Sequence, residues 1–264
     1  MLSRLERLHS PTFAPLKRAI ERLPNDRWPS HEELTALANG IVTSRGKPLR
    51  FVAPRDRGDN ERRYYELRIA ETGEVETRPE NWHDLFNALA WITYPQAKGT
   101  INAQHVAILE ERGDAEAKRR SPERDALTLF DEGGIAVLST DPALFDLIVA
   151  FEWKELFWHR RGELEQHMRF LAFGHALYEQ ALEPYLGMVA KTIFFEVDSL
   201  PSDDALVETA DAALSRHFSD RSRFVSPKAM APMPVLGIPG WHVDTATESF
   251  YDNRDHFRAK SPRR

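Results

Sequence analysis

The chain has 264 residues, 42% of them hydrophobic, and 41 acidic against 35 basic side chains give it a formal net charge of -6. That balance excludes a domain-wide basic field for nucleic acid, and fifteen Phe with six Trp supply enough apolar mass to exclude a disordered chain. The absence of cysteine excludes disulfides, thiolate nucleophiles and Cys-ligated zinc or iron–sulfur centres, and fits a soluble protein of the reducing cytoplasm.

The first stretch, MLSRLERLHSPTFAPLKRAIERL, is broken up by charges and lacks the apolar run of a secretory signal. Phe13, Leu16, Ile20 and Leu23 recur at helical spacing and predict a first helix that ends before Pro24. Ser30 and Glu33 have capping-box spacing, Leu34 and Leu37 follow, and Gly40 closes a short second helix. Residues 49–53 read as a strand. Residues 64–70 and 75–78 read as a hairpin around Glu71-Thr72-Gly73-Glu74, with Glu66 and Arg68 on its solvated face.

Residues 81–94, NWHDLFNALAWITY, form a strongly apolar helix stopped by Pro95, and 96–111 predict another. The next segment, EERGDAEAKRRSPER, has five acids and five bases and reads as an exposed, mobile loop. Residues 126–130 and 135–139 flank Asp131-Glu132-Gly133-Gly134 and read as a second hairpin. Asp141 and Pro142 start a long helix that Gly162 breaks, and a further helix covers 163–182. VAKTIFFEV, 189–197, is the best single strand, and Ser202 caps a helix through Phe218. From Phe224 onward the chain is Pro-rich but still carries Met230, Met233, Val235, Leu236, Ile238 and Trp241, so it should wrap the body. No apolar stretch reaches the length of a membrane span, and no internal repeat is present.

Placing each polar side chain on its helical wheel identifies the candidate site. On 96–111, Ile101, Val106, Ile108 and Leu109 define an apolar arc, and Lys98, Asn102 and His105 fall inside it at spacings of four and three. A Lys on such an arc must pair, snorkel or lose its charge. On 81–94, His83 and Asn87 lie at the edge of the arc formed by Trp82, Leu85, Phe86, Leu89 and Ile92. On 163–182, His175 sits within the stripe of Leu164, Met168, Leu171, Tyr178 and Leu182, with Glu179 one turn on, and Gly174 would admit a close backbone.

Two chemistries follow if these groups converge. His83, His105 and His175, with Glu179 or Asp131, suit a divalent metal ion as cofactor, although no HExxH or similar spacing is present. Alternatively Lys98, Arg120 and Arg124 bind a phosphate or carboxylate while a His acts as general acid or base. Against this, Arg120 and Arg124 stand in the charge-rich loop, and Asp131 and Glu132 lead into ordinary turn chemistry. No Walker loop, no GxGxxG after a strand and no GxSxG elbow is present, and Pro239 in GIPGW argues against phosphate cradling.

The strings NWHDLFNALAWITYPQAKGTINAQH, RSPERDALTLFDEGG, GHALYE, GIPGW and FYDNRDHFR resemble a proteobacterial family catalogued as domain of unknown function 3025, over roughly 79–258. The resemblance implies a bacterial, cytoplasmic, stand-alone protein and brings no substrate, cofactor or catalytic residue.

The expectation is a helix-rich α+β fold over 1–264, one globular domain with short β-hairpins and one small mixed or antiparallel sheet. The functional expectation is a hydrolase or transferase acting on a small anionic molecule. His83, His105, His175 and Asp131 would be its catalytic groups, and Asn87, Lys98, Asn102 and Arg124 its substrate contacts. His83, His105, His175 and Glu179 would form its metal set. The alternative is a non-catalytic binding or scaffold protein whose buried polar residues are structural. Neither membrane nor nucleic acid is an expected partner.

Overall fold

The computed structural model describes residues 8, 10–55, 65–113, 115–116 and 119–260. After a 3-10 turn at Pro11–Leu16, the first helix, α1, spans Lys17–Ile20. Helix α2, His31–Leu37, begins with the capping box the spacing predicts: Ser30 accepts from the Glu33 N–H while the Glu33 carboxylate accepts from the Ser30 N–H.

Strands β1, Arg50–Val52, and β2, Glu74–Glu76, pair in parallel, with Phe51 opposite Val75. A parallel pair cannot be joined by a tight turn, and helix α3, Tyr65–Thr72, lies between them. The hairpin reading of 64–78 is therefore corrected: its first arm is α3, apart from Tyr64, which lies outside the described residues. Gly73 ends α3 at φ +75, and a Cβ there would lie 2.0 Å from the Pro48 carbonyl oxygen.

Helix α4, Trp82–Thr93, is capped by Asn81, and helix α5, Pro95–Arg112, starts with proline at its first position. The Asp211 carboxylate caps α5 from far along the chain, accepting from the N–H groups of Gln96 and Ala97 at 3.1 and 2.7 Å. Helix α6, Pro122–Gly133, runs straight into strand β3, Gly134–Ser139. The second hairpin is thus also corrected. Ser121 accepts from the Arg124 N–H with Pro122 at the first position, and Ala126, Leu127 and Phe130 bury one helical face while Leu129 is exposed.

Helix α7, Ala143–Ala150, stops at Phe151, which takes φ +65, well before Gly162. A π turn at Glu155–His159 leads into α8, Arg161–His167. The helix expected over 163–182 is interrupted by strand β4, Met168–Ala172, before α9, His175–Ala181. Strand β5, Val189–Glu196, helix α10, Asp203–Ser219, and strand β6, Ala231–Pro234, complete the main elements.

The larger sheet has the order β4-β3-β5-β6, with β3 and β5 parallel and the other pairs antiparallel. Strand β3 is buried along its whole length and forms the centre of the helix-rich α+β fold. Phe13, Phe86 and Tyr178 stack mutually at 5.7–5.9 Å between centroids, and the hydroxyls of Tyr94 and Tyr178 both donate to the Ala172 carbonyl. In the C-terminal segment, Met233, Val235, Leu236 and Ile238 are buried, and the Arg258 carbonyl accepts from Trp153 Nε1. Among the described residues, no helix is long and apolar enough to cross a membrane.

Gly174 fixes the approach of α9 to the end of α6. A Cβ there would lie 2.3 Å from the Glu132 carbonyl oxygen and 2.5 Å from the Gly133 nitrogen, both backbone atoms that cannot rotate away. Gly174→Ala should therefore cost about 1–3 kcal/mol in urea unfolding. A change below about 0.5 kcal/mol would show that the two backbones can separate freely.

Candidate functional site

A cavity of about 740 Å³ opens where α3, α4, α5, α6 and α9 meet. Helix α5 lines it with Lys98, Asn102 and His105, all buried on the inward stripe described above. Helix α4 contributes His83, Asn87 and Trp91, helix α3 Tyr65 and Glu66, helix α6 Arg124, Thr128 and Asp131, and helix α9 His175.

Lys98 is the hub of one cluster in the lining. Its Nζ donates to Asn87 Oδ1 at 2.9 Å and to both Asp131 carboxylate oxygens at 2.6 and 2.8 Å, and it stands 5.4 Å from the Trp91 ring centroid. Burial works against the charge of Asp131, but Lys98 and then His175 outweigh it and hold the carboxyl below the usual carboxylate range. The aspartate expected at a turn is thus the last-turn residue of a helix and the counter-ion of a buried lysine.

A second cluster surrounds His105. Arg124 Nε donates to His105 Nδ1 at 3.2 Å, and Arg124 Nη1 donates to Glu116 Oε1 at 3.2 Å. Burial, reinforced by the Arg124 charge, pushes His105 down to about 3, so its imidazole is neutral with its proton on Nε2. Glu116 and Arg124 are both buried, which corrects the solvated-loop reading of this segment. Asp114, Ala117 and Lys118 of that stretch lie outside the described residues.

Glu66 faces the same space. Its carboxylate oxygen accepts from Asn102 Nδ2 at 2.6 Å, and its backbone carbonyl accepts from the same amide at 2.9 Å. Burial raises its carboxyl above the usual range, the Asn102 bond opposes this, and the nearby charge of Asp131 adds to the rise. Glu66 was missed as a site residue because the strand reading turned it toward solvent; on a helix it points into the cavity.

The third cluster joins three of the histidine-related candidates. His175 Nδ1 donates to the Asp131 backbone carbonyl at 2.8 Å, His83 Nδ1 lies 2.8 Å from Glu179 Oε2, and the two Nε2 atoms are 3.2 Å apart. Burial brings His175 down to about 4, against the pull of Asp131. Glu179 is at the outer end of this chain and half exposed. His105 belongs to the Arg124 cluster instead, and among the described residues no group of three or more His, Asp or Glu side chains is placed to hold a metal ion.

The charges of the lining are largely matched in pairs. Lys98 faces Asp131, Arg124 faces Glu116 and Arg78 faces Asp84. Arg120, half exposed and 3.9 Å from Asp125, is the most loosely held cation of the wall. Chemically the arrangement offers neutral imidazoles, one carboxyl shifted upward by burial and one held below the usual carboxylate range, within one polar space.

A model of a family described as "Protein of unknown function (DUF3025)" matches residues 49–261. No curated protein and no solved structure matches the chain.

Proposed function

The chain belongs to the DUF3025 family, whose description assigns no activity, and from its own residues we propose an enzyme of hydrolase or transferase type that uses acid–base chemistry on a small polar substrate. One observation carries the reading. Glu66 and Asp131 share a cavity, and their surroundings drive their carboxyl groups in opposite directions, Glu66 up and Asp131 down. Such divergent pairs mark acid and base roles, because one group keeps a proton to give while the other keeps a charge. Glu66 is the proton donor, and the acceptor is the neutral imidazole of His175, which lines the same space, since the one lone pair of His105 is taken by Arg124. Asn87 and Asn102 orient Lys98 and Glu66.

A substrate phosphate or carboxylate would meet Lys98 and Arg124 already paired. It would have to exchange with Asp131 and Glu116, so an anionic group binds here by swapping partners and gains less than it would at free cations.

The test is a set of chromogenic phosphate, ester and glycoside donors offered to wild type and to Glu66→Gln. Glu66→Gln keeps the shape of the side chain and an acceptor for Asn102, so the fold survives. Turnover of one donor class is expected, with a loss of about 10²–10⁴-fold in the variant. No turnover of any class, or equal turnover by Glu66→Gln, would overturn the assignment.

The non-catalytic reading also has an observation in its favour: the Lys98 ammonium is fully occupied by protein acceptors, as in a structural ion pair. On that reading Glu66→Gln changes neither turnover nor ligand binding.

A further inference from the structure

The hydrogen bonds of the cavity wall leave a pattern of unmet groups. Asn102 Nδ2 donates to the Glu66 carbonyl and carboxylate at 2.9 and 2.6 Å, and these two oxygens fix the orientation of the amide. Asn102 Oδ1 then has no donor among the described residues. Glu116 is in the same position. Its Oε1 accepts from the Ser121 N–H, the Ser121 hydroxyl and Arg124 Nη1, while its Oε2 has no partner among the described residues. Both residues line the cavity, at 1% and 4% exposure. His105 has the opposite need. Arg124 Nε donates to its Nδ1, so its proton is on Nε2, and that N–H has no acceptor among the described residues. Asn102 and His105 stand one turn apart on the same face of α5. Buried polar atoms are costly to leave unmet, so the unmet set describes the ligand that would complete it.

We propose that the cavity takes a neutral substrate group that carries two O–H or N–H donors beside an acceptor, as neighbouring sugar-type hydroxyls or a primary carboxamide do. The inference rests on the acid–base reading of this cavity and names its substrate class. The donors meet Asn102 Oδ1 and Glu116 Oε2, and the acceptor meets the His105 Nε2–H. A carboxylate or a fully ionised phosphate brings acceptors only. It would leave both orphaned oxygens unmet and would compete with Asp131 and Glu116 for cations already paired. An ammonium brings donors only. It would leave the His105 proton unmet and would stand among Lys98, Arg120 and Arg124. The cavity volume of about 740 Å³ lies within the range of about 300–1,000 Å³ usual for small-molecule sites, so a group the size of a monosaccharide has room.

The experiment is an NMR titration of the full-length protein with isotope-labelled histidine. The probes are methyl glucoside for the hydroxyls, benzamide for the carboxamide, and inorganic phosphate and methylammonium as charged controls. One neutral probe should shift the His105 Nε2–H resonance in a saturable way, and which one does so tells the two sources apart. Phosphate and methylammonium should leave that resonance in place at the same concentrations. Its loss in His105→Gln identifies it. Asn102→Leu, which keeps the branching of the side chain but no oxygen, should bind the active probe about two- to tenfold more weakly. If that variant does not fold, the wild-type shifts decide alone. A His105 resonance that neither neutral probe moves, or that phosphate or methylammonium moves more strongly, would overturn the proposal. Saturable binding of a neutral probe without turnover of any chromogenic donor would uphold it and remove the acid–base reading. Turnover confined to phosphate donors would do the reverse.

Discussion

Lys98→Met should destabilise the protein by about 3–5 kcal/mol, the cost of leaving a buried carboxylate without its counter-charge. The methionine fills much of the volume against Trp91, so packing changes little. What changes is Asp131, which keeps its charge in the wild-type protein because Lys98 and His175 outweigh the cost of burial. Without the ammonium, Asp131 must stay charged in a poor environment or take a proton, and Asn87 loses the donor on its Oδ1. Urea unfolding at neutral pH measures the loss. The penalty should shrink as the medium is acidified, since the orphaned carboxyl then takes up its proton. Lys98→Met combined with Asp131→Leu should recover most of the stability, because replacing both members of a buried pair by apolar groups is often close to neutral. A single-variant loss below about 1 kcal/mol would mean that water already reaches the pair and screens it.

The buried lysine was readable from sequence because α5 is a regular helix with a clean apolar arc. Lys98, Asn102 and His105 fall on that arc by arithmetic, whatever the rest of the chain does. The capping box at Ser30 and Glu33 is equally local. Gly174 was readable for a different reason: a glycine beside an inward polar residue marks backbone contact, and the Glu132 carbonyl fills that space. The mistaken elements share a cause. In 126–130 a run of apolar residues looks like a strand, but Ala126, Leu127 and Phe130 have helical spacing behind a Ser121-Pro122 start that the reading passed over. In 168–172 the strand exists because β3 lies beside it, with Ala136 opposite Leu171, a partner more than thirty residues away that no window of sequence contains. The site suffered accordingly. Glu66 disappeared into a false hairpin and Glu116 into a false solvent loop. The joining of His83 to His175 depends on α9 starting at Gly174, after a strand the wheel argument did not include.

Stability should fall as pH drops from about 6.5 toward 4, before the paired carboxylates begin to titrate. His105 is held down to about 3 by burial and then by the charges of Arg124, Arg120 and Lys98, with Asp131 opposing. His175 is held down to about 4 by burial, with Asp131 opposing and Lys98 and His83 reinforcing. His217 and His256 are also pushed to about 4, chiefly by burial. Each of these imidazoles takes a proton near 6.5 in the unfolded chain and resists it in the folded one. Below 6.5 the unfolded state therefore binds more protons, and the folded state loses up to about 1.4 kcal/mol per pH unit for each such group. Glu66 and Asp211 act in the opposite sense. Their carboxyl groups are raised by burial, so the folded state holds protons that the unfolded state has released, and stability from them declines as pH rises above their ordinary values. With four imidazoles against two carboxyls, the net slope between about 4.5 and 6.5 should be positive. Asp131, held below its ordinary value, contributes only at still lower pH, so its loss is a separate step. Urea unfolding of wild type and His105→Gln at a series of pH values separates the terms, since the variant retains an acceptor for Arg124 but cannot titrate. The variant should show a visibly shallower slope. A wild-type stability that stays flat from pH 7 to pH 5 would mean that these imidazoles are already hydrated in the folded protein, and the buried, neutral His175 on which the acid–base reading depends would not exist.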